Sequence, residues 1–534
     1  MREMAPRHAH ATALAVLVAL VACERAHAAP AGKELVPSRA AALGEFRDNP
    51  LLDAVPADTV YAFASFKPVP VDVIRGLLRT FGPIWRRSFQ DYMARTGDAA
   101  NGRIFLDVIG ALDVRRLEQS GIAVGARFVI YGIGEHPFVR IELSNGDRVF
   151  ELIQTIARRI HEPIPPPIVR GNRRYWMSDA PDGTLFAAIA PRELILGMAP
   201  RAKLDANLAV LLGEQRPPRT LTTAQFRDLA RRDGFTGQGV GFVDLTRIPE
   251  IAVDAVASNP ACRSAFKALI QHAPRLAFGL EDVTLRRLAF GFVIELAPDA
   301  LAVVRGLSTT LAGYERLVNA NAAFAIALAF NLDHGRTVLS RAAAPLREFG
   351  ERCGEEDLVA GAQQLAAVAS KPLPSFLAGP RGGFFALTRF KLASDKRIDP
   401  SSVEGFGTLQ LDRTAPLLQY AASQSGFELQ PDRKVHVLPP TFQVRGHVAA
   451  NDTTIAIGLG GNSAATAAQL LDAPVAPAPL ILVQFDYRRA GTLIPKDAQH
   501  SDDVRAAVAA LGVMAVQLLA DERGLVVWSS LGLR

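Results

Sequence analysis

The sequence predicts an α+β protein of two duplicated halves, each built of antiparallel sheets with helices packed on one face. Three observations predict it. Short apolar strands are separated by turn signals such as Ser144-Asn145-Gly146 and Asp182-Gly183. Helical stretches fall between hairpins, without the strict strand–helix alternation of a parallel sheet. The succession of elements that starts near residue 60 also returns near residue 320.

The first element is a leader. MREMAPRHAH carries Arg2 and Arg7, and the apolar run ATALAVLVALVA follows it over residues 11–22. A basic start before a run too short to span a bilayer reads as a secretory signal, so residues 1–22 are expected to be a signal peptide. The run ends in Leu20-Val21-Ala22-Cys23, which resembles the bacterial lipobox. That resemblance implies a lipidated Cys23 as the new N-terminus, and Glu24 in place of aspartate implies the outer membrane. Each buried CH₂ of an acyl chain contributes about 0.8 kcal/mol, so several chains anchor durably. The competing reading is cleavage after Ala28, at Ala26-His27-Ala28, which would release a soluble periplasmic protein. Residues 23–50 are expected to be a tether.

The two halves are placed at 51–312 and 316–534. LLDAVPADTVYAFASFKP holds an apolar strand, Val60 to Phe66, before a helical stretch from Ile74 to Met93. NAAFAIALAFNLDHGRTVL repeats the strand at Phe324 to Phe330, ahead of helical SRAAAPLREFGERC. Strands then precede Asp147 and Asp412, either of which could cap the helix that follows it. Each half continues with a hairpin and a helix, in LFAAIAPRELILGMAPRAKLDANLAVLL and FQVRGHVAANDTTIAIGLGGNSAATAAQLL. Single strands ending in Asp244 and Asp486 come next. Paired strands close each half, in LAFGLEDVTLRRLAFGFVIEL and MAVQLLADERGLVVWSSLGL. The offset between copies drifts from about 265 to about 240 residues, the pattern of a duplication with loop deletions. Regular helices argue against an outer-membrane barrel. Pro163 and Pro165 to Pro167 make a stiff extended connection in the first half.

Composition excludes some functions. The formal charge of +6, falling to +5 without residues 1–22, is spread over 534 residues. Fifty of the 59 basic residues are Arg, in doublets at most, so no nucleic-acid-binding tail is expected. Besides Cys23 there are only Cys262 and Cys353, an even pair that an oxidising compartment could bridge. The chain holds no HExxH, Walker loop or GxSxG, and its histidines stand apart, so no metal, cofactor or catalytic residue is expected. Two weak ligand candidates remain. Gly458, Gly460, Gly461 and Ser463 form a glycine-rich loop at a helix start, where backbone amides can hold an anion. Asp244 and Asp486, with Arg247 and Arg488 close by, could form a polar pair.

VPADTVYAFASF resembles the opening of the mature domain in uncharacterised bacterial envelope proteins, which begin with a Pro-Ala-Asp-Thr segment and an apolar strand. The likeness implies no activity and no catalytic residues. The expected function is that of a non-enzymatic envelope lipoprotein, membrane-anchored by lipid, that binds a protein, lipid or glycan. The alternative is a periplasmic hydrolase or transferase of unfamiliar type.

Overall fold

The computed structural model describes residues 46–533, except for 69, 74, 77–118, 120, 124, 160–164, 181–182, 249–258, 285, 373, 377–378, 392–397, 491–507 and 509–510. Cys23 and both cleavage readings lie outside the described residues, as does the expected helix over Ile74–Met93 beyond residue 76. The protein is a mixed α+β fold whose named strand pairs are antiparallel. It forms two compact units. One runs to Ile251 and takes in Ala277–Phe290; the other comprises Ala252–Leu276 and Gly291–Arg534.

The first unit contains β1 (Tyr61–Ala64), β2 (Phe128–Ile133), β3 (His136–Glu142), α1 (Gly146–Arg159), β4 (Ile168–Arg170), β5 (Arg173–Ala180), β6 (Gly183–Ala190) and β7 (Glu193–Ala199). Then come α2 (Arg201–Leu211), α3 (Thr223–Asp233) and β8 (Val240–Asp244). The strands pair in the order β8–β1–β2–β3–β7–β6–β5–β4. A hairpin of β9 (Arg275–Val283) and β10 (Arg287–Glu295) follows, its turn closed by Thr284 N–H on the Arg287 carbonyl. The packed chain already includes Phe46, stacked on Phe66, and buried Asn49, which donates to the carbonyls of Ser65 and Phe128.

The second unit contains α4 (Pro260–Ile270), α5 (Pro298–Arg305), β11 (Thr310–Ala312), α6 (Tyr314–Asn319), β12 (Phe324–Leu328), α7 (Leu332–Cys353), α8 (Glu356–Ser370), β13 (Pro380–Arg389) and β14 (Glu404–Leu411). It continues with α9 (Ala415–Ser425), β15 (Val435–Val437), β16 (Gly446–Ala450), β17 (Thr454–Leu459), α10 (Ser463–Leu471), β18 (Val475–Pro477), β19 (Ile481–Asp486), α11 (Tyr487–Ala490), β20 (Leu511–Asp521) and β21 (Gly524–Leu533). The order here is β21–β20–β19–β12–β13–β14–β17–β16–β15. Cys262 in α4 and Cys353 at the end of α7 form a disulfide, with Cα atoms 4.7 Å apart.

The helices do not all lie on one face of each sheet, and that expectation is corrected. Successive strand residues point to opposite faces. In the first unit Leu194 packs with Val149 and Ile153 of α1. The next residue, Ile195, pairs with Arg140, whose guanidinium reaches the carbonyls of Val210 and Leu211 at the far end of α2. In the second unit Val448 joins Leu418 of α9, whereas Ala449 joins Ala467 and Leu470 of α10. The cause is visible in β3, where Phe138, Val139, Arg140 and Ile141 are all buried: continuous burial means both faces are covered.

Arg140 is a wholly buried charge with a partner for each nitrogen. Nε donates to the Tyr131 hydroxyl, Nη1 to Glu193 at 2.7 Å, and Nη2 to the two α2 carbonyls. Burial opposes its charge, but Tyr131 and Glu193 raise its pKa above the ordinary guanidinium value. The expected aspartate caps are also corrected. Asn145, not Asp147, accepts from the first turn of α1, and Asp147 meets Arg174 instead. Asp412 binds Arg381, two residues ahead of Thr414, where α9 begins.

Candidate functional site

Antiparallel pairing brings the start of β12, the ends of β13 and β19, and the start of β14 to one end of the second unit's sheet. The Asp486 N–H bonds to the Ala323 carbonyl and the Ala323 N–H to the Leu387 carbonyl, which fixes this end in register. Here α6 and α11 border a cavity of about 770 Å³, lined by Arg316, Arg389, Arg488, Arg489, Glu404 and Phe406 among others. Ligand pockets commonly enclose about 300–1,000 Å³.

Asp486 organises Arg488 and Arg489. Its side chain is 1 % exposed, and it takes a fork from Arg488, Nε to Oδ1 and Nη2 to Oδ2, each 2.8 Å. The Arg488 N–H adds a third bond to Oδ1, and Arg489 Nε lies 3.6 Å from Oδ2. Burial pushes the Asp486 pKa up, yet the hydrogen bonds from Arg488 and the charges of both arginines outweigh it and hold the carboxyl below its ordinary range. Arg489 also donates to the Thr388 carbonyl. Arg316 is held by Gln469 at 2.7 Å, its guanidinium carbon 5.3 Å from the centre of the Phe406 ring. Arg389 pairs with Glu404 across the β13–β14 end. The guanidinium groups are thus positioned without any ligand, and their planar donor forks suit carboxylate and phosphate oxygens.

Neither protein-family models, curated proteins nor solved structures give a match to this chain. Function therefore rests on the geometry of the sites themselves.

In the glycine-rich loop Gly461 faces open space, but Gly458 and Gly460 are hemmed in by the protein's own atoms. A Cβ on Gly458 would fall 2.3 Å from the Ser463 carbonyl oxygen, and one on Gly460, at φ +92°, 2.5 Å from Glu404 Cγ. The glycines therefore let α10 and β14 approach the loop. Ser463 is not the cap of α10, since Asn462 holds that position; its hydroxyl is 2.8 Å from His447 Nδ1 and only 3 % exposed. Asp244, in the first unit, accepts from Thr246 and from Arg247 Nε at 3.1 Å, as a strand-end turn. A second concavity of about 550 Å³ holds Asp333, His334, Arg381 and Asp412, but Arg381 and Asp412 satisfy each other and His334 Nε2 abuts the Val303 carbonyl. Among the described residues no group of three or more His, Cys, Asp or Glu could hold a metal ion, and no helix is long and apolar enough to cross a membrane.

Of the residues singled out from sequence, Asp486 and its neighbour Arg488 belong to the cavity's structure. Arg316, Arg389, Glu404 and Phe406 were missed because they come from separate elements far apart in the chain, and Arg489 was missed although it adjoins Arg488. The one local signal was the Arg488-Arg489 doublet, one residue beyond a strand-end aspartate.

Proposed function

We propose that this protein is a non-enzymatic binding protein of the bacterial envelope, anchored through Cys23 at the periplasmic face of the outer membrane, that seats part of a lipid, glycan or protein partner in the second unit's cavity. The observation that carries this reading is the cavity itself: ligand-sized, partly apolar, and lined by four arginines, of which Asp486 holds Arg488 and Arg489, Gln469 holds Arg316 and Glu404 holds Arg389. The alternative, a periplasmic hydrolase or transferase, would rest on Asp244 and Asp486, and each of these carboxylates is already bound by an arginine, Arg247 and Arg488 respectively.

The two units also descend, in this reading, from one duplicated domain. Support comes from their pairing orders, in which β8–β1–β2–β3–β7–β6–β5 answers β19–β12–β13–β14–β17–β16–β15 strand for strand. The Asp244 N–H binds the Val60 carbonyl just as that of Asp486 binds Ala323.

The test has two parts. Cells fed a palmitate analogue should label the wild type on Cys23 and not Cys23→Ala, which should leave the membrane fraction. Protein released from envelopes in mild detergent should carry a bound mass in native mass spectrometry. That mass should be lost in Asn321→Trp, which places a bulky ring at an exposed position of the cavity wall. No label and no bound mass would overturn the reading.

A further inference from the structure

Among the described residues, the cavity brings four guanidinium groups, of Arg316, Arg389, Arg488 and Arg489, against two carboxylates, Glu404 on the wall and Asp486 behind it, an excess of two positive charges. A single carboxylate ligand would neutralise one of them. A phosphate monoester carries about −1.5 to −2 at neutral pH, with three acceptor oxygens for guanidinium forks. Beside the arginines, Phe390, Phe406, Ala320 and Ala323 give the wall an apolar part. We infer that the cavity binds a phosphomonoester group attached to a less polar body, the phosphate meeting Arg488, Arg489 and Arg316 and the body lying along Phe406. This deepens the binding reading above and rests on it.

The geometry gives Glu404 a distinct part. Among the described residues it is the one carboxylate on the wall, paired with Arg389, whose side chain is 66 % exposed. Its charge opposes an incoming anion, so its removal should tighten binding while loss of an arginine loosens it. A merely sticky basic surface would also favour the doubly charged anion, but it would lose as much affinity to Arg381→Gln, outside the cavity, as to Arg389→Gln, an outcome that overturns the inference.

The test uses the full chain carrying Cys23→Ala, so that no acyl tether reports in place of the cavity. Calorimetric titrations at constant ionic strength compare inorganic phosphate, glucose 6-phosphate and acetate. Phosphate and its ester should bind, and acetate should bind about tenfold more weakly or not at all. Arg488→Gln with Arg489→Gln should weaken phosphate binding about tenfold or more, and Glu404→Gln should strengthen it about two- to tenfold. Arg389→Gln, at an exposed position, should weaken it too and serves if the double variant misfolds. Flotation with phosphatidylcholine vesicles, with and without phosphatidic acid, separates the sources: flotation only with phosphatidic acid marks a lipid headgroup, and glucose 6-phosphate binding without flotation marks a soluble ester. Equal affinity for phosphate and acetate, or for wild type and folded variants, would overturn the inference. If phosphate fails while envelope-released protein still carries a mass that Asn321→Trp removes, the phosphate assignment falls and the binding reading stands. If both fail, both fall.

Discussion

Two buried ions set the chemistry at the level of single residues, and they answer acid differently. Asp486 has a folded pKa below its unfolded value of about 3.9. Its contribution to stability is therefore complete above that unfolded value and is lost as pH falls through the lower folded one. Urea denaturation from neutral pH to about pH 3 should show wild type losing more stability than Asp486→Asn, which begins lower and has no such carboxyl to protonate. Equal losses would mean that the fork with Arg488 contributes nothing. Arg140 stays charged throughout, because its pKa is raised. Replacing it by Met strands Glu193, the Tyr131 hydroxyl and the two carbonyls of α2, so a loss of about 3–5 kcal/mol is expected in the same measurement. From sequence alone Arg140 was invisible: an arginine within FVRIE looks like the solvent side of a strand. The Glu193 carboxylate, the Tyr131 hydroxyl and the helix carbonyls together make its burial tolerable.

Elements were legible where their cause is local. The strands at β1 and β12, the hairpins β6–β7 and β16–β17, the strands ending in Asp244 and Asp486, and the hairpin β20–β21 all lie where apolar runs meet turn residues. Caps were read less well, since Asn145 and Asp147 are both good acceptors and only the backbone path decides between them. The best-formed cap belongs to α3, where Thr222 accepts from the Gln225 N–H and the Gln225 side chain returns to the Thr222 N–H. Thr222→Ala should cost about 1 kcal/mol, seen as a lower urea midpoint with unchanged slope. A changed slope would place the effect in the unfolded chain instead. The faces that the helices cover were not legible, because a fully apolar strand does not say whether one neighbour or two will bury it.

Over the whole molecule, the mixed α+β class was legible in the sequence, while the pairing order of the strands and the cavity were not. The cavity wall draws on α6, the segment between α6 and β12, β13, β14 and α11, and only the pairing register brings them together. Loop length shaped it as well. In the first unit β2 and β3 join through Gly134 and Glu135 alone, and the Tyr61 ring packs over Gly132 there; in the second, residues 390–403 part β13 from β14. The disulfide has a consequence of another kind. Cys262 and Cys353 stand 91 positions apart, so any single backbone cut between them leaves one covalent molecule. A nicked chain should therefore migrate as two fragments in a denaturing gel with reductant and as one species without it. If the protein is the envelope lipoprotein proposed above, a protease cut within this loop leaves the far part of the chain covalently joined to the anchored part.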